Sequence, residues 1–242
     1  MKPFLSVIVP AYNEEHRLSR TIRELSSAIE KMRIAYEIIL VDDGSSDTTL
    51  EIMKTLEKEL PNVAVIGNER NMGKGHAVKK GMLAARGSWR LFMDADNSTP
   101  FSEFRKIEPL TNARGGIIIG SRHMTGSVVR IPQPWHRRLL GRAGNLFIRM
   151  LLLPGISDTH CGFKCMTEEA AEAIFPLTKV NRWAFDDEVL VLGKEMGYPI
   201  REVPVVWTNE DTYTTFKISD YAVAFRDAFW IKFRLLGKQY AV

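Results

Sequence analysis

The chain has 242 residues, a formal charge of +4, 45% apolar and 26% charged residues, which is the balance of an ordinary soluble globular protein with room for a sizeable core. No apolar run approaches the ~18–20 residues of a membrane span, and the opening Met1-Lys2-Pro3-Phe4 lacks a signal-peptide pattern. Two cysteines, Cys161 and Cys165, argue against a disulfide framework, and on a strand they would stand ~13 Å apart, too far to bridge. The expected place is the cytoplasm or its membrane surface.

In chain order, Leu5–Pro10 is a short apolar run of the kind that forms a buried parallel strand. A helix follows, with Leu18, Ile22, Leu25, Ile29 and Met32 at 3–4 spacing. Glu37–Val41 is a second strand, ending in Asp42-Asp43-Gly44-Ser45-Ser46-Asp47. Leu50, Met53, Leu56 and Leu60 stripe the next helix, with Asp47 as its N-cap. Asn62–Ile66 is the third strand, Asn71-Met72-Gly73-Lys74-Gly75 opens a third helix, and Trp89–Met93 is the fourth strand.

Strands alternating with helices of this length predict a parallel sheet, whose ligands sit outside the carboxyl ends of its strands. Those ends carry Tyr12 and Glu14, Asp42 and Asp43, Lys74, then Asp94 and Asp96. If Leu91–Met93 ends a strand, alternation points Asp94 and Asp96 to one side, as a hard-oxygen site for Mg²⁺ or Mn²⁺. Gly-x-x-x-x-Gly-Lys-[Ser/Thr] is absent, which counts against a Walker-type NTPase. Gly-x-Gly-x-x-Gly is missing after the first strand, which counts against a dinucleotide fold.

Val9-Pro10-Ala11-Tyr12-Asn13-Glu14, Val41-Asp42-Asp43-Gly44-Ser45, Asn71-Met72-Gly73-Lys74-Gly75 and Asp94-Ala95-Asp96 together resemble, in order and spacing, the family-2 glycosyltransferases. The resemblance implies the α/β GT-A fold, a mostly parallel central sheet flanked by helices. It also implies site roles. Pro10, Tyr12 and Glu14 would pack against a uridine, and one of Asp42 or Asp43 would accept from the uracil. Lys74 would lie near the nucleotide, while Asp94 and Asp96 would hold ribose, metal and diphosphate.

Beyond Asp96 a helix is expected from Thr99-Pro100, where proline suits the first turn. Gly116–Arg122 is another strand, and His136–Leu153 a helix that is basic at one end and apolar at the other. Asp158-Thr159-His160-Cys161-Gly162-Phe163-Lys164, Arg182-Trp183-Ala184-Phe185-Asp186-Asp187-Glu188 and Pro199–Thr208 resemble the dolichyl-phosphate β-glucosyltransferases. These are relatives of the mannosyl-transferring polyprenyl-phosphate synthases. A lone Cys-His pair at 160–161 lacks a four-ligand pattern, so packing is the expected role there. One departure stands out. Where those relatives carry Gly-Ser-Lys after the last strand, this chain has Thr212-Tyr213-Thr214, with Lys217 three residues on.

The terminal stretch places Ile218, Tyr221, Phe225, Phe229, Phe233 and Leu236 on one helical face among Lys232, Arg234 and Lys238, a pattern suited to the plane of a bilayer interface. The expected organisation is a transferase domain over 1–210 (nucleotide-sugar half about 1–122, acceptor half about 123–210), then an amphipathic segment over 211–242. The expected reaction is inverting transfer of glucose from UDP-glucose to a dolichyl or polyprenyl phosphate at the cytoplasmic face of a membrane. Asp94, Asp96, Arg122 and Asp186 are the expected catalytic group, with Glu188 facing the site beside Asp186. Arg122, Arg137, Arg138 and Lys217 would hold the acceptor phosphate, because guanidinium forks grip phosphate in bidentate fashion. GDP-mannose as donor, a soluble alcohol as acceptor, and sugar-nucleotide binding without turnover are the alternatives. No nucleic-acid partner is expected.

Overall fold

The computed structural model describes residues 2–112, 115–131, 135–208 and 218–240, with backbone alone at 112, 135–140, 142 and 218–221. The apolar runs form the strands β1 (Leu5–Ala11), β2 (Tyr36–Asp42), β3 (Val63–Gly67) and β4 (Trp89–Met93). Between them lie α1 (Leu18–Glu30), α2 (Thr49–Glu59) and α3 (Lys74–Ala84). The N-cap of α2 is Thr48 rather than the expected Asp47, which stands one residue earlier and whose Oδ1 accepts from the Thr49 amide at 3.0 Å. The stretch after Pro100 is not one helix but a run of short turns around α4 (Phe104–Ile107).

Beyond it come β5 (Ile117–Ser121), β6 (Val128–Val129), α5 (Trp135–Leu151), β7 (Phe163–Thr167), α6 (Glu168–Ile174), α7 (Phe185–Glu195), β8 (Ile200–Pro204), β9 (Val206–Trp207) and α8 (Ile218–Leu236). Seven strands form one sheet in the order β3-β2-β1-β4-β7-β5-β8, and β6 pairs with β9 beside it. Within the sheet, β7 alone runs antiparallel, between β4 and β5. Its sequence, Phe163-Lys164-Cys165-Met166-Thr167, is broken by a buried lysine and so does not read as an apolar run.

Side-chain alternation divides the core between the two faces of the sheet. Leu5, Val7 and Val9 of β1 pack with α1 and α2, while Ile8 packs on the other face with α3, α6, α7 and α8. Pro10 is tolerated inside β1 because the pairing with β4 has already ended at Ile8, so no ladder bond to that neighbour is lost there. α8 is joined to the main core through Ala228, Ile231 and the following Tyr240, and its Phe225 meets Phe147 of α5 edge-to-face at 4.9 Å. The expected domain boundary near residue 210 lies outside the described residues. None of the helices of the described residues is long and apolar enough to cross a membrane.

Candidate active site

Because β1, β2 and β4 are parallel, their carboxyl ends open on one edge of the sheet. After β1, Asn13 takes the left-handed conformation (φ 57°), its amide donating to Ser45 Oγ at 3.0 Å and its Oδ1 accepting from Ser46 N at 2.9 Å. That exchange ties the Tyr12–Glu14 loop to the loop after β2. Tyr12 is half-buried, and Glu14 forms an ion pair with Arg17. Asp42 and Asp43 are both buried, and both carboxylates hold backbone. Asp42 accepts from the amides of Gly44 and Ser45 at 3.2 Å. Asp43 accepts from Asn68 Nδ2 at 2.8 Å, Met72 N at 3.0 Å and Gly73 N at 2.8 Å, which fixes the entry to α3. Gly73 has φ +102°, and a Cβ there would meet the Asn181 carbonyl oxygen at 2.4 Å, so only glycine fits this turn.

Asp94 and Asp96 come together differently from the expected strand alternation. β4 ends at Met93, and both carboxylates lie in a turn closed by Asn97 in the left-handed conformation (φ 57°). The Asp94 amide donates to the Gly162 carbonyl at 3.2 Å, and its Oδ1 lies 2.5 Å from Lys74 Nζ. A Cβ on Gly162 would stand 1.9 Å from Asp94 Oδ2, so the carboxylate occupies the space a side chain would take. Burial, and after it the neighbouring charge of Asp94, pushes the Asp96 carboxyl above the usual carboxylate range. For Lys74, burial opposes the charge, but Asp94 and Asp186 outweigh it and hold the ammonium above its ordinary value. The Lys74 ammonium also sits 5.8 Å from the Trp183 ring centre.

The acceptor side is built from residues that pair with one another. Arg122 follows β5, and Asp158 engages its Nε at 2.7 Å, its Nη2 at 2.9 Å and its amide at 2.9 Å. Against the upward push of burial, Arg122 holds the Asp158 carboxyl far below the usual carboxylate range. The expected phosphate fork therefore stands already opposed by a buried carboxylate. Arg137 and Arg138 fall on α5, with backbone alone described, and Lys217 and Thr212–Thr214 lie outside the described residues.

At the amino end of α7, Asp186 is paired with the fully buried Lys164, whose Nζ also donates to the Cys161 carbonyl at 2.7 Å. Burial raises the Asp186 carboxyl, with Lys164 and Lys74 opposing. Glu188 does not face the site, contrary to expectation. Its Oε2 accepts from the amides of Lys179 and Val180 at 2.8 Å, and its Oε1 from the Tyr240 hydroxyl at 2.5 Å. Two residues along a helix turn by about 200°, which sends Glu188 away from Asp186.

Nothing in the sequence pattern gave a role to Lys164 or Asp158, which lie in the 158–164 motif, and His160, expected only to pack, pairs with Asp187. His160 Nε2 lies 3.2 Å from Asp187 Oδ2 as an ion pair, while burial pushes the Cys161 thiol up to about 12, so it is no ready metal ligand. Burial alone would lower the His160 pKa, but Asp187 raises it above its ordinary value. A raised histidine stabilises the fold fully below pH ~6.5 and loses that contribution as pH rises through its folded value. His160→Asn leaves Asp187, fully buried, without its cation. We expect roughly 2 kcal/mol lost at pH 6, less than for a fully buried pair because the ring is one-third exposed, with the gap narrowing toward pH 9. Urea denaturation of both proteins across that range measures it; a gap that widens with pH would contradict the pairing.

Residues 6–175 match the family profile described as Glycosyl transferase family 2. The chain belongs to glycosyl transferase family 2. Its relatives include the dolichyl-phosphate beta-glucosyltransferase of Dictyostelium discoideum, 38% identical over 96% of this chain and 75% of that protein. The human protein of the same name is 35% identical over 96% of this chain and 76% of its own length. Among solved structures, mannosyl-3-phosphoglycerate synthase from Rubrobacter xylanophilus superposes with a TM-score of 0.74 at 17% identity, covering 98% of this chain and 75% of that one. Glucosyl-3-phosphoglycerate synthase from Mycobacterium tuberculosis, solved with Mn²⁺, UDP and phosphoglyceric acid, gives 0.69 at 18% identity over 95% and 77%. At such identities the likeness concerns the fold, which is GT-A.

Proposed function

We propose that this family-2 glycosyltransferase moves glucose from UDP-glucose to dolichyl or another polyprenyl phosphate, with inversion at the sugar carbon. The observation that carries the reading is the cluster at the carboxyl edge of the sheet: Lys74 on Asp94, Asp96 beside it, and Asp186 across from Lys74. The glucosyl donor and the lipid acceptor follow from the names of the relatives at 35–38% identity.

Pro10, Tyr12 and Glu14 line the base, and Asp42 or Asp43 accepts from the uracil with the lone pairs left over from its backbone contacts. Asp94 and Asp96 fit Mg²⁺ or Mn²⁺, since such ions take one or two carboxylates and complete their shell with substrate phosphates and water. The raised Asp96 is a carboxylate whose charge a cation would relieve. Held by Asp94 and Asp96, such an ion would offset the negative charge that grows on the departing diphosphate. Lys74, held charged by its carboxylates, adds a fixed positive charge at the same place.

An alcohol acceptor would need a base, whereas a phosphate acceptor is already mostly ionised near pH 7. Asp186, neutralised by Lys164, then has a positioning task toward the sugar hydroxyls rather than proton removal. Arg122 is held rigid but charge-compensated by Asp158, which shifts the binding of the acceptor phosphate toward Arg137 and Arg138 of α5, with Lys217. The apolar rows exposed on α5 (Leu146, Met150) and α8 (Phe229, Phe233, Leu236) suit a peripheral position on the cytoplasmic face of a membrane.

A donor panel with phytanyl or undecaprenyl phosphate, read by product mass, tests the assignment. The expected result is glucosyl phospholipid from UDP-glucose and little from GDP-mannose. Product from GDP-mannose, or transfer only to a short soluble alcohol, overturns it.

A further inference from the structure

A cleft of about 360 Å³ lies between the 179–182 loop, whose Asn181 and Arg182 also pack against the Gly73 turn, and α8. Among the described residues its wall holds four cations, Lys179, Arg182, Arg226 and Arg234, against one carboxylate, Asp227. That carboxylate is taken by Arg226 at 2.8 Å. Lys179 Nζ donates to the Gln239 carbonyl at 3.0 Å, a contact that leaves its charge uncancelled. Among the described residues, the carboxylate paired with Arg234 is Glu188 at 4.0 Å, the Arg234 side chain also meets the Tyr240 hydroxyl, and Arg182 is exposed. The transfer chemistry derived above uses none of these residues.

The rim supplies the second half of the argument. Arg226, Trp230 and Arg234 follow one another at i, i+4 and i+8, so they form a single row along α8. The adjoining row is Phe229, Phe233 and Leu236, which are 57%, 57% and 74% exposed, and Trp230 is 51% exposed with its ring edge-to-face on Phe233 at 5.8 Å. A basic cleft beside a row of exposed aromatic rings matches the layering of a membrane surface, where phosphates lie just outside the acyl boundary that such rings enter. A soluble anion would explain the cations but not the rings.

We propose that this cleft binds the phosphate headgroup of an anionic membrane phospholipid and so holds α8 in the interface, separately from the sugar-nucleotide and acceptor sites. The inference rests on the membrane-surface reading of the preceding section. Each basic residue near an anionic surface is worth about 1 kcal/mol, so removing two charges from the cleft weakens binding about 10- to 30-fold.

The test uses the full chain and co-sedimentation with vesicles of phosphatidylcholine alone or mixed with phosphatidic acid. An R182Q/R226Q variant should lose about 10- to 30-fold in affinity for the anionic vesicles. R20Q/R23Q, which removes the same charge from α1 on the opposite face of the sheet, should stay within about threefold of wild type. UDP binding by calorimetry and transfer to a detergent-dispersed acceptor should be unchanged in R182Q/R226Q. Equal losses in the two variants, or none in R182Q/R226Q, overturn the site. So does binding of inorganic phosphate that R182Q/R226Q abolishes while its vesicle affinity stays at the wild-type level, since the cleft then takes a soluble anion. Loss of UDP binding in R182Q/R226Q would assign the cleft to the donor instead. If transfer to every polyprenyl phosphate fails while the vesicle results hold, the acceptor reading falls and this one stands.

Discussion

An Asp96→Asn variant is expected to transfer sugar about 10²–10³-fold more slowly than wild type while unfolding at the same temperature or higher. The two halves of that result have separate causes. Asp96 lies beside Asp94, and burial together with that neighbour raises its carboxyl above the usual range. An acid whose folded pKa exceeds its unfolded one destabilises the fold once pH rises through that interval. At neutral pH the amide therefore relieves a repulsion, and its oxygen can still accept the Ser98 amide bond, which Asp96 Oδ1 makes at 2.9 Å. What the amide loses is the charge that would hold a divalent ion. Mg²⁺ or Mn²⁺ with UDP should accordingly raise the melting temperature of wild type and leave the variant's nearly unmoved, and EDTA should silence wild-type transfer. Equal thermal shifts in both proteins, or full activity in EDTA, would remove Asp96 from the metal site.

The edge of the sheet was legible because parallel strands of continuous apolar residues end in conspicuous polar ones, and Asp42, Asp43, Lys74, Asp94 and Asp96 all stand there. Which atoms they touch was not legible. Asp43 reads like Asp42 along the chain, yet it is the anchor of α3's first turn, through amides about thirty residues away. Arg122 reads as an available fork because its partner, Asp158, is 36 residues distant and buried. β7 was hidden by Lys164, whose charge interrupts the apolar pattern while its stem and ammonium are covered by Phe92 and Asp186. Glu188 is a different kind of miss. Helical periodicity already separates it from Asp186, and the structure shows what it serves instead, a tie between the 179–180 turn and Tyr240.

The buried Lys164–Asp186 pair carries the second large effect. Both side chains are almost wholly inside, so neither can reach water if the other is removed. Lys164→Met fills the stem's volume but takes from Asp186 its contacting cation, leaving only the charges of Lys74 and His160 near it, which is expected to cost about 3 kcal/mol of stability. An apolar replacement of the whole pair, Lys164→Met with Asp186→Leu, removes the charge together with its partner. Such replacements are often neutral, so the double variant should recover to within about 1–2 kcal/mol of wild type. Its transfer activity should not recover, because the group proposed to position the sugar is gone. Urea denaturation of the two variants reads the first expectation, and turnover with a lipid phosphate reads the second. If Lys164→Met is as stable as wild type, Asp186 is protonated in the folded protein and the pair is not ionic. If the double variant is stable and still transfers sugar at the wild-type rate, Asp186 serves only the packing at the start of α7, and the sugar must be oriented from elsewhere.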